Sequence, residues 1–443
     1  MVHLRTLGLA GALLAALPAA AAEFNYEVGV AYGHSDNIAR TQDDPVSEDI
    51  AAATLKFSVD QRSRHLRADL VGDLAWNEYL NDTFDSELTG NFAGAATFGL
   101  LPERIEWFVG DSFGQVLSDP FIPATPENSE NINQFSTGPN FIAAFGSQMR
   151  LQLTARYINT DFEELPFDSQ SYRGELALIR VLSERSAISL NLRNEDVTLD
   201  EELLQADYKN TELFLRYEAS GARTNLNLDL GASQLDREAV AEKEDGLVLR
   251  TEISRRLSAS SLAQLSAGRE FANSGSAFSS SLASSGVDLS TAPGRQSAQP
   301  FTSDYASLRW NFDRNRTGLG LYGTWSERTY EDEATLDQTL TTLGVVLRRD
   351  MTASTALTLD ASTSRGEFAQ SGNEYDELTA GLSFNWRLSR YLTLAFSYDF
   401  HDRDSGSALG SYQENRLWLS LGFGSGRPRA TFAPPTFGVD PAP

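Results

Sequence analysis

The sequence predicts an all-β chain folded as a transmembrane antiparallel β-barrel of about twenty strands, with eighteen the nearest alternative. Three observations carry this. Segments of roughly 10–15 residues alternate apolar and polar side chains from residue 23 nearly to the end, as in NLNLDLGAS at 225–233 and LTAGLSFNWRL at 378–388. The links between them are short and long by turns. The chain also opens on an export leader. Alternation at period two gives each strand one apolar and one polar face. Where nearly every segment repeats it, one side of the sheet must meet something apolar and the other must meet water, which a closed barrel in an outer membrane allows.

The leader is residues 1–22: Arg5, an apolar run from Leu7 to Leu17, then Ala20-Ala21-Ala22 before Glu23. This is a signal-peptide pattern with cleavage expected near Ala22. No other stretch approaches the ~18 apolar residues that a spanning helix needs. An exported chain of this kind is expected to sit in the cell outer membrane, among its lipid and lipopolysaccharide. The absence of cysteine excludes disulfides, thiolate metal sites and cysteine nucleophiles. With 61 acidic against 36 basic residues, the net charge of -25 argues against a nucleic-acid partner. Trp76, Tyr79, Trp107, Trp325, Tyr330 and Tyr391 fall near strand ends, where interfacial girdles sit.

The strands follow in order. The first, 24–35, puts Tyr26, Val28, Val30 and Tyr32 on one face. The second ends in Leu55, Phe57 and Val59 and turns at 61–64. Leu66, Leu70, Leu74 and Trp76 mark the third, and Leu88, Phe92 and Phe98 the fourth. A tight turn at 101–103 leads to Ile105, Trp107 and Val109. Later faces are Phe141/Phe145, Leu151/Leu153, Leu176/Leu178, Leu190/Leu192, Leu213/Leu215, Leu226/Leu228 and Leu247/Leu249. The last group runs through Leu308/Trp310, Leu319/Leu321, Leu343/Val345, Leu357/Leu359, Leu382/Phe384, Leu394/Phe396 and Leu419/Leu421. Segments 205–219 and 262–272 are the weakest strands and could merge into loops. A propeller or an α/β enzyme fits worse, because windows of the right length hold hairpins and almost no helical period.

Short turns recur at 61–64, 101–103, 146–148, 183–186, 220–223, 258–261, 313–316, 349–352 and 388–390. Longer links lie at 36–47, 117–131, 236–245, 272–300 and 401–411. That pattern suits periplasmic turns and extracellular loops, with both termini periplasmic. The barrel then spans 23–424 and a Pro-rich tail, 425–443, is expected to stay flexible in the periplasm. Segment 273–300, rich in Ser, Ala and Gly, reads first as a flexible surface loop, with an inward constriction as the alternative. The acidic loop 36–50 is expected to solvate the mouth.

The polar phase of the strands should line the lumen. Its candidate residues are Arg67, Asp69, Arg150, Arg156, Arg173, Glu175, Arg193, Glu195, Arg216, Arg250, Glu252, Arg309, Arg348, Arg387 and Arg416. Cations and anions nearly balance in this phase. Arg67/Asp69, Arg173/Glu175, Arg193/Glu195 and Arg250/Glu252 lie two apart on one strand, so they share a side and are expected to brace the wall. A lumen of this charge suits a polar solute better than a strongly anion-selective pore. No cofactor or metal site is expected, and His34, His65 and His401 match no Ser-His or metal-ligand spacing, so enzymatic chemistry is not expected either.

One stretch is more specific. GVAYGHSDNIAR at 29–40, with Asp36-Asn37 after the first strand, resembles the opening of outer-membrane β-barrel porins encoded in exopolysaccharide and exosortase-linked gene clusters. LPERIEWFVGDSFGQVLSDPF at 101–121 and the Thr137-Gly138-Pro139 turn look like the interior of the same family. The resemblance implies a passive conduit for an exported exopolysaccharide, or an accessory to one, working with a separate periplasmic export component. It implies no catalytic residues. A general or substrate-specific diffusion porin, and a structural or adhesive barrel without transport, remain open alternatives.

Overall fold

The computed structural model describes residues 22–200, 207–237, 243–285, 296–297, 299–330, 334–369, 374–406 and 410–425. Twenty strands form one sheet. They are β1 (Ala22–Ser35), β2 (Glu48–Arg62), β3 (Leu66–Tyr79), β4 (Glu87–Leu101), β5 (Ile105–Leu117), β6 (Ser129–Phe145) and β7 (Met149–Phe162). Next come β8 (Ser169–Ser183), β9 (Ser186–Leu199), β10 (Tyr208–Ser220), β11 (Thr224–Arg237), β12 (Glu244–Ser258) and β13 (Ser261–Ala272). After a helix, α1 (Ser274–Ser285), the chain completes β14 (Phe301–Arg314), β15 (Thr317–Thr329), β16 (Gln338–Asp350), β17 (Thr355–Phe368), β18 (Glu374–Arg387), β19 (Leu392–Ser405) and β20 (Tyr412–Ser425). Segments 205–219 and 262–272, weak in the sequence, are strands β10 and β13 for most of their length.

Each strand pairs antiparallel with its sequence neighbours, and β1 pairs with β20 to close the cylinder: Val28 faces Phe423, Val30 faces Leu421 and Tyr32 faces Leu419. Closure leaves no edge strand, so every backbone group across the wall can find a partner. Leucines mark the outer face. Leu213, Leu230, Leu308 and Leu343 remain more than half exposed, as Val30 does, because they point away from the cylinder. A soluble protein would not tolerate that much aliphatic surface, whereas a bilayer favours it.

The two ends differ. At one, strands join through tight turns whose centres use left-handed backbone at Gly146 (φ 72°), Asn315 (φ 57°) and Glu103 (φ 65°), which glycine and asparagine accept most easily. β1 starts and β20 finishes at this end. Residues beyond 425, including the expected flexible tail, and those before 22, where the signal peptide is expected, lie outside the described residues. At the other end the links are long, and apolar clusters line the inside. One joins Ile38, Ile50 and Tyr79 with Trp418; another joins Val116, Ile132 and Phe162 with Phe278; a third joins Phe301, Tyr330 and Leu336 with Ala277. The clusters inside the lumen thus gather at the mouth, while a separate buried cluster, with Phe57, Val59, Leu66, Leu70, Phe92 and Phe113, lies along the β2–β5 wall toward the short-turn end.

Two expectations about the loops are corrected. The described start of the 273–300 link is not a surface loop: it folds inward as α1, and residues 286–295 and 298 lie outside the described residues. Asn273 donates to the Tyr208 hydroxyl at 2.7 Å on β10. Phe278 lies so close to Gly114 on β5 that a Cβ there would come within 3.0 Å of its ring. Phe278 and Ala277, adjacent on the helix, reach apolar clusters built from β5–β7 and from the β14–β16 side respectively, so α1 bridges opposite walls. The 36–47 link does more than solvate the mouth, since Ile38 is 1% exposed within it.

Candidate functional site

Strand register fixes which side chains enter the lumen. In β9 and β10, Leu190, Leu192, Leu213 and Leu215 are on the outer face, so Arg193, Glu195, Glu212, Phe214 and Arg216 point inward. Following cross-strand partners around the cylinder places all the sequence candidates on that inner face: Arg67, Asp69, Arg150, Arg156, Arg173, Glu175, Arg193, Glu195, Arg216, Arg250, Glu252, Arg309, Arg348, Arg387 and Arg416.

How they pair differs from the expectation. The Arg-x-acid pairs do not close along a strand. Because β8 and β9 run antiparallel, Arg173-Gly-Glu175 lies against Arg193-Asn-Glu195 with Arg173 opposite Glu195 and Glu175 opposite Arg193. Both cross-strand ion pairs form at 2.8 Å. Directly opposite side chains are closer than those two apart on one strand, so the lateral partner wins. Arg67 likewise reaches across β4 to Glu106 at 3.0 Å. Arg250 bypasses Glu252 and contacts Glu212 at 2.8 Å, Asp229 at 3.6 Å and Glu270.

These contacts join into a ladder across β8–β13. Arg193 adds Glu212 at 3.3 Å, and Arg216 holds Asp229 through Nε and Nη2 at 2.7 and 2.8 Å. Phe214 is its hub: the guanidiniums of Arg193, Arg216 and Arg250 lie 5.2, 5.4 and 5.5 Å from its ring centre, within cation–π range. Phe214 fits because Gly231 faces it; a Cβ at Gly231 would lie 2.5 Å from that of Phe214. Beside the ladder, Arg156 covers the Phe108 ring at 4.6 Å and donates to the Asn140 side-chain oxygen at 2.6 Å. A recess of about 160 Å³ opens there, lined by Gln152, Thr154, Arg156, Glu175, Asn191 and Arg216.

The opposite wall, β14–β19, is dominated by hydroxyls and small residues. Ser362 and Thr379 share a hydrogen bond at 2.6 Å, and Thr342 and Ser364 one at 3.0 Å. Arg309 is on this wall, opposite Gln264 and Tyr322. Arg348 contacts Asp350 at 3.1 Å near the short-turn end, and Arg387 donates to the Ala353 carbonyl. Arg150 lies near the same end, opposite Ala144 and Ile179. Arg416 pairs with Glu414 at the mouth.

The mouth holds the feature that sequence reading missed. Segment 118–128, between β5 and β6, crosses the lumen as a strap. Asn128, 3% exposed, clasps it by donating to the carbonyls of Asp119, Ile122 and Pro123 at 2.7, 3.2 and 3.0 Å. On the far wall, Phe121 meets Phe368 of β17 edge to face, with centroids 4.9 Å apart. Arg403 of β19 donates to the Pro120 carbonyl at 2.9 Å, and Arg40 of the β1–β2 link donates to the Ala124 carbonyl at 2.8 Å. Arg40 also pairs with the fully buried Glu414 at 2.9 Å. Burial opposes the charge on Arg40, yet Tyr412, Glu414 and Glu377 outweigh it and raise its pKa above the ordinary arginine value. The signal in the sequence was composition: SDPFIPATPEN carries three prolines with Phe121 and Ile122, a stiff apolar link unlike its solvating neighbours.

The Asp36-Asn37 motif closes the seam. Asp36 accepts from the Asn415 backbone N–H at 2.8 Å and from its side-chain amide at 2.7 Å, while Asn37 donates to the Gln413 carbonyl at 2.9 Å. These contacts extend the β1–β20 pairing past its last ladder rung. Of the histidines, His34 pairs with Asp49 at 2.8 Å, His65 lies in the β2–β3 turn at the far end, and His401 faces the lumen on β19. They do not converge.

An apolar exterior around a polar, paired-charge interior describes an outer-membrane-type β-barrel with a channel through it. No protein-family model and no curated protein matches the sequence. Among solved structures, it is similar to the ferric enterobactin receptor of Pseudomonas aeruginosa, with a TM-score of 0.46 and 10% identity over 91% of this chain and 80% of that one. The siderophore receptor PirA of Acinetobacter baumannii gives 0.45 and 9% identity over 91% and 80%. OccK2 of Pseudomonas aeruginosa, solved with glucuronate, gives 0.38 and 12% over 91% and 98%. At this level no residue or ligand is carried across from them.

Proposed function

We infer that this barrel is an outer-membrane conduit for a saccharide, and specifically for an exported exopolysaccharide. The observation that carries the reading is the two-sided lumen. One wall presents arginines neutralised by carboxylates, and the other presents serine and threonine hydroxyls. A sugar chain offers hydroxyls that donate and accept, and such a surface exchanges hydrogen bonds with it without holding one charge sign strongly. Twenty strands enclose more space than their side chains fill. The resemblance of 29–40 to porins of exopolysaccharide gene clusters supports an exopolysaccharide as the cargo and a separate periplasmic export partner.

A second reading, a substrate-specific diffusion porin, is favoured by one observation: the strap and α1 both narrow the long-loop end, as a filter for small solutes requires. A gene deletion with and without restoration separates the two. Loss of surface polysaccharide with build-up behind the outer membrane supports the conduit. Unchanged polysaccharide together with lost uptake of a small sugar supports the porin instead.

A further inference from the structure

Arg403, at the mouth, is tied to a partner weaker than those its own barrel gives to other arginines, and Arg40 gives one of its nitrogens to a partner of the same weak kind. Arg173 and Arg216 each use the Nε/Nη2 edge to grip a carboxylate with two hydrogen bonds, at 2.9 and 3.0 Å and at 2.7 and 2.8 Å. Arg403 offers the same edge, 4% exposed, but Nη2 meets only the neutral carbonyl of Pro120 and Nε has no partner. Arg40 likewise gives Nη1 to a strap carbonyl, that of Ala124, while its Nε stays on Glu414 at 2.9 Å. A hydrogen bond between a guanidinium and a carboxylate is roughly twice as strong as one to a neutral acceptor.

The surroundings extend the edge into a site. The Tyr375 ring lies 3.9 Å from the Arg403 guanidinium carbon, and Phe368 lies 6.2 Å from Tyr375, centroid to centroid. Phe121 of the strap covers Phe368. Withdrawal of the strap would therefore free the Arg403 edge and the Arg40 Nη1 donor and bare an aromatic floor together. His401, two positions back on the same face of β19, has an unpaired buried Nδ1 beside them. Guanidinium edges over aromatic rings take a sugar ring that carries a carboxylate: the carboxylate bridges Nε and Nη2, and the C–H face of the ring rests on the aromatics.

We propose that Arg403 and Arg40, with Phe368 and Tyr375, form a recognition site for a carboxylate-bearing saccharide, and that the 118–128 strap keeps it closed by filling it with its own carbonyl oxygens. The strap is then a surrogate ligand that the substrate displaces. This rests on the reading of the barrel as a saccharide channel and narrows the substrate to an acidic one.

The test is calorimetric titration of the purified full-length barrel with oligogalacturonate and with a neutral maltooligosaccharide of equal length. The uronate is expected to bind at least roughly tenfold more tightly, the value of one charged hydrogen bond. Arg403→Gln should erase that preference. Replacing 119–127 with a short Gly-Ser link should tighten uronate binding by a similar factor, because no internal ligand competes, and this arm stands even if Arg403→Gln fails to fold. Equal affinity for the two sugars, a preference that survives Arg403→Gln, or no gain on strap removal would each overturn the site. The deletion strain keeps the two readings apart: normal surface polysaccharide with intact uronate preference removes the conduit and leaves the site.

Discussion

Arg250 reaches across β11 to Glu212, bringing a guanidinium within 2.8 Å of a carboxylate two strands away. Glu212 also takes Arg193 from its other side and is almost wholly buried. Glu212→Gln keeps the volume and removes the charge, leaving two guanidiniums facing each other above Phe214. Breaking one side of a buried ion pair costs about 3 kcal/mol. The variant should unfold at clearly lower urea in detergent micelles, and a change within about 0.5 kcal/mol of wild type would show that water in the lumen already screens the cluster.

The sequence displayed the wall well and the mouth poorly, for physical reasons. Period-two alternation is a local signal, so Leu213 out and Arg216 in could be read residue by residue, and strand number followed from counting turns. Lateral pairing is not local. Whether Arg173 meets Glu175 or Glu195 depends on the register between β8 and β9, which no single strand encodes. The strap was harder still. Its contacts, Arg403 to Pro120 and Arg40 to Ala124, join positions 283 and 84 residues apart. They use backbone carbonyls, which every residue carries and no motif marks. The inward course of α1 was hidden because a Ser-, Ala- and Gly-rich stretch has the composition of a linker, and one aromatic, Phe278, marks its contact with the β5–β7 wall.

The seam makes a separate prediction. β1 and β20 are the strand pair farthest apart in sequence, so closing them carries the largest loop-closure cost, and Asp36 and Asn37 fasten their mouth end through Asn415 and Gln413. Removing one polar partner of a set like this costs about 1–3 kcal/mol. Asp36→Ala combined with Asn37→Ala should therefore slow the appearance of the compact, heat-shifted band on refolding into vesicles more than it affects the unfolding midpoint. An unchanged refolding rate would mean that the β1–β20 ladder alone zips the seam.

Membrane exposure of the leucine face is checked by charge placement. Leu213 is 54% exposed on the outer face, between the neighbouring outward Leu192 and Ala232. An arginine there would meet hydrocarbon at a cost of ~2–4 kcal/mol near the midplane. Leu213→Arg should lose that much stability in vesicles and almost none in a zwitterionic detergent that lets the side chain reach water. Equal losses in both would place Leu213 against protein rather than lipid.

The last prediction concerns conduction. The strap and α1 reach the lumen from different links and are held differently: the strap by Asn128 and the two arginines, α1 by the Asn273–Tyr208 hydrogen bond and the Phe278 contact. Asn128→Ala removes three side-chain donations to strap carbonyls while leaving the wall intact, so the strap should leave and return rather than stay. In planar bilayers this should appear as more frequent openings at unchanged single-channel conductance. Tyr208→Phe with Phe278→Ala should instead loosen α1 and raise the conductance of the open state itself, because the obstruction lies beside the ladder rather than at the clasp. If each variant produced the other's signature, the strap would be the fixed constriction and α1 the moving part.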